Sequence, residues 1–268
     1  MVYLHCMMVT VDTLSTTVRS RRMMPVSRLQ WWFLVAGGHT LTVLFGVGWF
    51  GLARFFPPPS PELSAQEIAQ RYLADANGIR LGATLMFISF AFWAGWGAVI
   101  IAWIWRRISG GRVLAIAMTI SLTIAEMVGV MCAFFWALAA FRPGEISADI
   151  TATLNDAGWL MFVLPWPPWS FMCICLAIAI LRDRSPDPVM PRWVAYMSLL
   201  TALLFVPAGL PLFFKGTEMA YDGVLGMYVP FIVFFVWVQS VSWSMGRSLR
   251  TENPDDPCHR SYPLEPAR

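Results

Sequence analysis

The sequence predicts an all-α polytopic transmembrane helix bundle of six spans, with both termini on the cytosolic side (N-in/C-in). Three observations predict it. The 268 residues are 57% hydrophobic and 13% charged, with a mean hydropathy of +0.60, whereas an ordinary soluble domain carries roughly 25% charged residues. Six apolar stretches, 30–53, 79–105, 113–140, 158–181, 193–214 and 223–245, are each long enough to cross a hydrocarbon core of about 30 Å at about 1.5 Å per residue. Basic residues also alternate between the connecting segments. Fourteen of the 19 fall in the N-terminal tail, the second loop (Arg106, Arg107, Arg112), the fourth loop (Arg182, Arg184, Arg192) and the C-terminal tail. The positive-inside rule makes that side the cytosol, so the net charge of +3 reports topology and implies no nucleic-acid partner. The bilayer itself is the expected partner.

Residues 1–28 read as a cytosolic tail in which Met23 and Met24, ahead of Pro25, offer a second start. The first apolar run is long for a signal-peptide core and has no small-residue cleavage site after it, so it reads as a retained anchor. Lys215 is the sole lysine among many arginines and alanines, a bias that suits a GC-rich genome and a bacterial plasma (inner) membrane. The first outward loop opens on Pro57-Pro58-Pro59-Ser60-Pro61, a stiff spacer. A capping helix over about 65–76 follows: Ser64 and Glu67 form a capping box, Ile68, Tyr72 and Leu73 give one apolar side, and Asn77-Gly78 is expected to end it across the outer mouth of the bundle. A second short surface helix is expected over 147–154. Eight tryptophans, among them Trp49, Trp136, Trp159, Trp193 and Trp243, fall near the predicted interfaces as an aromatic belt would. Residues 247–268 read as a disordered cytosolic tail around the membrane domain 29–246.

The segment Leu63-Ser-Ala-Gln-Glu-Ile-Ala-Gln-Arg-Tyr72 running into Gly78-Ile-Arg-Leu-Gly82, with Asn155-Asp-Ala-Gly-Trp159 opening the fourth span, resembles a set of uncharacterised six-span bacterial integral membrane proteins with no assigned function. The resemblance runs from about Met24 to Arg250 and implies the span count. It carries no activity with it.

Of the 16 acidic residues only Glu126 lies within an apolar run, and a carboxyl at bilayer depth commonly marks a pathway or a binding site. Its span repeats small residues at every fourth position, Ala117, Ser121, Ala125, Gly129, Ala133 and Ala137, a stripe that admits a close neighbour. The first span has a shorter version in Gly38, Thr42 and Gly46. Glu126 and His39 each flank their stripe by about 100°, so both are expected to face the interior. His39, Glu126 and Gln239 of the last span lie about 14, 20 and 10 Å from the cytosolic ends of their helices at 1.5 Å per residue. Together they suggest a ligand- or proton-binding group, with a buried polar pair that only fixes helix register as the alternative.

The fourth span contains Leu164-Pro165-Trp166-Pro167-Pro168-Trp169 near its centre. Prolines lack an amide donor, so the carbonyls of Met161, Val163 and Leu164 lose their helical partners and the helix should break between Leu164 and Trp169. Backbone of that kind survives at bilayer depth only when buried in protein or lining a cavity, which adds Trp166 and Trp169 as candidate ligand-binding walls. Cys6, Cys132, Cys173, Cys175 and Cys258 show neither a zinc spacing nor a disulfide framework; no metal site and no cofactor is expected. The best-supported function is a small transporter, channel or ligand-binding membrane protein with a polar intramembrane pocket. The alternatives are an accessory or structural subunit, whose small-molecule ligand is replaced by a membrane-protein partner bound to the tryptophan-rich second span (Trp93, Trp96, Trp103, Trp105), and a membrane-embedded enzyme, for which no catalytic motif is found.

Reporter fusions test the orientation. Fusions after Arg182 and after Arg250 are expected to report the cytosol and one near Ser60 the opposite side; a signal from outside at Arg250 contradicts the six-span count.

Overall fold

The computed structural model describes residues 28–250 apart from Asp187, and the described residues form helices and loops with no strand. The two expected tails, apart from the ends of the flanking helices, lie outside them. Helix α1, Arg28–Gly46, continues as a π-helical segment Val47–Leu52; α2 is Ala65–Ala74, α3 Ala76–Arg107, α4 Gly111–Ala139, α5 Ala148–Val163, α6 Trp166–Arg182, α7 Arg192–Leu204 and α8 Val229–Arg250. A 3-10 segment, Val206–Leu212, extends α7, and a π-helical turn, Val224–Tyr228, leads into α8. Five stretches are long and apolar enough to cross a membrane: Ala76–Arg107, Gly111–Ala139, Ala148–Arg182, Arg192–Leu212 and Val224–Ser248. They fit an integral membrane protein. The expected first span, α1, is not among the five.

The helices close a ring in chain order. α1 packs on α3, α3 on α4, α4 on α5 and α6, α6 on α7, α7 on α8, and α8 returns to α1. Glycine sets the closest seams. A Cβ on Gly48 would stand 2.7 Å from the Gly82 carbonyl oxygen, and one on Gly82 2.8 Å from Ala53 Cβ, so the end of α1 and the start of α3 touch backbone to backbone. Gly97 of α3 leaves room for Leu122 of α4, and Gly129 of α4 for Phe90 of α3. The α4 stripe is buried at Ser121, Ala125, Gly129 and Ala133. Hydrogen bonds tie the later helices: Trp237 Nε1 donates to Ser198 Oγ at 2.8 Å, Ser170 Oγ donates to the Ala202 carbonyl at 2.8 Å, and Trp96 Nε1 donates to Ser242 Oγ at 2.8 Å.

Several expected boundaries move, each for a local reason. The capping box forms, with Ser64 N–H donating to Glu67 Oε2 at 2.8 Å and Glu67 N–H to Ser64 Oγ at 3.3 Å. Asn77-Gly78 does not end α2, which stops at Ala74; the pair lies in the first turn of α3. Gly78 is there for close approach, since a Cβ would stand 2.5 Å from the Leu52 carbonyl oxygen. The surface helix expected over 147–154 is the start of one continuous helix, α5, capped where Ser147 Oγ accepts from Ile150 N–H at 3.3 Å. Gly158 does not break α5, because it is the bare spot on which the Trp136 ring rests. The proline break is confined to Leu164 and Pro165. The Leu164 N–H still bonds the Leu160 carbonyl at 2.9 Å, and α6 restarts at Trp166 with Pro167 and Pro168 in its first turn, where no amide donor is required. The aromatic belt is only partly a belt: Trp105, Trp193 and Trp243 are exposed, whereas Trp49, Trp136 and Trp159 are fully buried.

Overpacking a backbone-to-backbone seam costs about 1–3 kcal/mol. Gly82→Val is therefore expected to lower the thermal unfolding midpoint in detergent, while Gly51→Ala, where a Cβ meets nothing within 4 Å, is expected to leave it unchanged. Equal midpoints for the two variants contradict the seam.

Candidate functional site

Between the helices of the ring lies a partly open cavity of about 80 Å³, to which α1 and all five membrane-length stretches contribute. Leu41 and Phe45 come from α1, Phe90 from α3, Val128 and Gly129 from α4, Phe162 and Val163 from α5, and Trp166 and Trp169 from α6. Phe205 and Ala208 follow α7, and Pro230, Phe231, Phe234 and Phe235 belong to α8. No charged side chain lines it. A single water needs roughly 10–15 Å³ of such space and two or more polar partners, so this volume holds several heavy atoms but offers little to hold water.

The walls are aromatic and interlocked. Trp49 stacks on Phe231 with centroids 4.9 Å apart, and Trp169 meets Phe234 edge to face at 4.9 Å. Trp93 packs behind them, 5.6 Å from Trp169 and 5.3 Å from Phe234. Pairs of this kind are worth about 0.5–1.5 kcal/mol each beyond their burial. Unpaired polar groups lie at the break and in the aromatic cluster around it, where the buried indole N–H groups of Trp49, Trp93 and Trp136 have no hydrogen-bond partner among the described residues. Pro165, Pro167 and Pro168 offer no donors to the carbonyls of Met161, Val163 and Leu164, and among the described residues the indole N–H groups of Trp166 and Trp169 have no acceptor. The arrangement can enclose an uncharged apolar or aromatic molecule and give one hydrogen bond to an acceptor on it.

Of the residues singled out by sequence, Trp166 and Trp169 line this cavity, as does Val163 beside the break; Pro165 lies in the break, and Pro167 and Pro168 in the first turn of α6. The other three lie elsewhere. Gln239 is half-buried on α8 and donates to the Gly38 carbonyl at 3.2 Å and to Thr42 Oγ1 at 2.6 Å, a clip that holds α8 to α1. Glu126 is half-buried and His39 exposed, and among the described residues neither makes a hydrogen bond or ion pair. The expected polar interior is thus an aromatic one. The α4 stripe turns Ala125 fully inward, which carries Glu126, about 100° further round, to the rim; on α1 the inward positions are Leu34, Leu41 and Phe45.

The sequence reading missed a buried polar node beneath α2. Asn155 is fully buried, and its Oδ1 accepts from Tyr72 Oη at 3.2 Å and from Trp159 Nε1 at 3.1 Å. Its amide donates to Asp156 Oδ1 at 3.1 Å, which also accepts from Tyr221 Oη at 3.2 Å. The node ties the cap helix α2 and the loop before α8 to α5. Burial pushes the Tyr72 and Tyr221 hydroxyls well above their usual range, and the Asp156 carboxylate adds to the effect on Tyr221. The available signal was a buried-facing asparagine at the head of an apolar helix. Among the described residues no group of three or more His, Cys, Asp or Glu could hold a metal ion. No family model, curated protein or solved structure matches this chain.

Asp222, next to this node, has its carboxyl raised above the ordinary 3.8, chiefly by burial and further by Glu62. The folded protein then holds that proton more tightly than the unfolded chain does. Its stabilising contribution is fully present below about pH 3.8 and is lost as pH rises through the folded value. Asp222→Asn is accordingly expected to raise the thermal midpoint at pH 7, with the gain shrinking toward pH ~4; a gain independent of pH contradicts this origin.

Proposed function

We propose that this protein is an integral membrane protein that takes a small uncharged hydrophobic molecule into the cavity between the helices of its ring, as a transporter or a ligand-binding protein. Six spans, N-in/C-in orientation and residence in a bacterial plasma membrane belong to this reading and rest on the alternation of basic loops and on composition. The observation that carries the function is an aromatic cavity, lined from α1 and from all five membrane-length stretches, that adjoins the proline-interrupted helix. Interrupted helices at mid-membrane are a common way for carriers to form a site. Here Trp166 and Trp169 are the ligand-binding residues, and the break at Pro165 is the hinge about which α5 moves to admit the molecule. Glu126, His39 and Gln239, read from sequence as binding residues, have no place in this cavity. The alternative reading is a subunit docked through the tryptophan-rich second span; Trp93, Trp96 and Trp103 are buried inside the bundle, which leaves Trp105 as the exposed member of the four.

The test is a thermal-stability screen of the detergent-purified protein against uncharged aliphatic and aromatic compounds, with water-soluble ionic solutes as the contrast set. A compound at a hundred times its Kd stabilises by about 2.7 kcal/mol. Such a compound is expected in the hydrophobic set, and Ala208→Phe, which fills the cavity, is expected to abolish its effect while Val113→Phe, on an exposed position, preserves it. Stabilisation by ionic solutes alone, or binding indifferent to Ala208→Phe, contradicts the proposal.

A further inference from the structure

The cavity leaves two ionisable groups unaccounted for, and both lie on the outside of the ring at bilayer depth. Hydrocarbon is a poor environment for either, and polar side chains in membrane spans are generally paired with one another or with backbone carbonyls. Glu126 and His39 have no such partner among the described residues.

Their neighbours fix where each stands. One turn before Glu126, Leu122 fills the space over Gly97 of α3; three residues after it, Gly129 leaves room for Phe90 of α3. Glu126 lies on that same side of α4, so it sits at the outer edge of the seam between α3 and α4. Beside it α3 exposes Ala91, Ala94 and Ala98, and α4 exposes Thr119 and Thr123. The threonine hydroxyls are already committed, donating to the Ala115 and Thr119 carbonyls at 2.8 and 2.9 Å. The seam therefore presents alanine and threonine methyl groups, with Phe92 and Met127 exposed on its flanks and one carboxyl at its margin, a form that lets another helix approach and hydrogen bond.

His39 projects from α1 beside exposed Val43 and Val47. A Cβ on Gly37 would stand 2.7 Å from Trp96 Cβ, and the residue after Trp96, Gly97, faces Leu122. Gly37 is thus near the level of Leu122; His39 lies two residues on and Glu126 four, along helices that run the same way, so the two differ by only about 3 Å along the membrane normal at about 1.5 Å per residue. Copies standing side by side in one bilayer share their level, and a histidine and a glutamate side chain together span that offset.

We propose that the protein self-associates in the membrane head to tail, α1 of one copy lying against the α3–α4 seam of the next, with the imidazole of His39 donating to the carboxylate of Glu126. The two surfaces are different, so the contact is heterologous and closes into a ring when its rotation permits. The occupant is a second copy because the complementary group the carboxyl lacks is present, at the right level and equally unpaired, on another outer face of the same chain.

Paired-cysteine cross-linking tests this. In a background with Cys6 and Cys258 changed to serine, two differently tagged chains carrying His39→Cys and Glu126→Cys are co-expressed, and the membranes are treated with a short bis-thiol reagent. A mixed-tag adduct is expected, with none from His39→Cys paired with itself. In lipid nanodiscs the parent is expected to run as an oligomer by native mass spectrometry. Glu126→Leu and His39→Leu should each weaken association at least tenfold while the thermal midpoint of the monomer is retained, and the exchanged variant His39→Glu with Glu126→His should restore it. A monomeric parent overturns the proposal. So does an adduct formed only between two Glu126→Cys chains, which marks an isologous contact, or association that ignores both leucine variants, which marks another occupant of the seam.

Discussion

Three prolines within four residues, Pro165, Pro167 and Pro168, impose the constraint on which the rest of the structure depends. Each removes an amide donor at mid-membrane, and the carbonyls so orphaned cannot face lipid. The break between α5 and α6 must then be enclosed by protein. Enclosure follows from the ring, in which α4 packs on both halves of the broken helix while α7 and α8 complete the far side. A ring of this many helices has a wide centre, and it is filled largely by aromatic side chains, with Val128 and Gly129 of α4 as the smaller contributors. What they fail to fill is the cavity beside the break.

The ring is held by short polar clips. Serine recurs as the adaptor: Ser242 Oγ donates to its own helix at the Val238 carbonyl, 2.7 Å away, and accepts from Trp96, and Ser198 does the same with the Val194 carbonyl and Trp237. Each hydroxyl is satisfied on both counts, which suits a medium without water. At its C-terminal end α4 is capped by Arg80, whose Nε donates to the Ala140 carbonyl at 2.8 Å and whose Nη2 donates to the Phe141 carbonyl at 2.9 Å. The node around Asn155 fastens the cap helix to α5, the first half of the interrupted helix.

Features with a local cause were legible in the sequence. The capping box at Ser64, the stop at Pro165 and the small-residue face of α4 each follow from residues within a turn or two of one another. Glu126 and His39 were misjudged because periodicity places a residue 100° from a stripe without saying which neighbour lies on that side; only the packing of α3 against Leu122 and Gly129 resolves it. The cavity was half legible. Trp166 and Trp169 announce themselves beside the prolines, whereas Phe45, Phe90 and the pair Phe231 and Phe234 lie in three separate stretches of chain and converge only when α8 closes on α1. Asn77-Gly78 misled for the opposite reason: a pair that commonly ends helices is used here to let α3 pass close to Leu52.

The central claim is that the aromatic cavity at the helix break accepts an apolar molecule from the membrane. Anomalous diffraction from crystals grown in a lipid phase and equilibrated with a brominated aliphatic compound tests it most directly. The account predicts a bromine peak inside the ring, between Phe45, Trp169 and Phe234. Bromine found only along the lipid-facing perimeter, with the space between those three side chains closed, would contradict it.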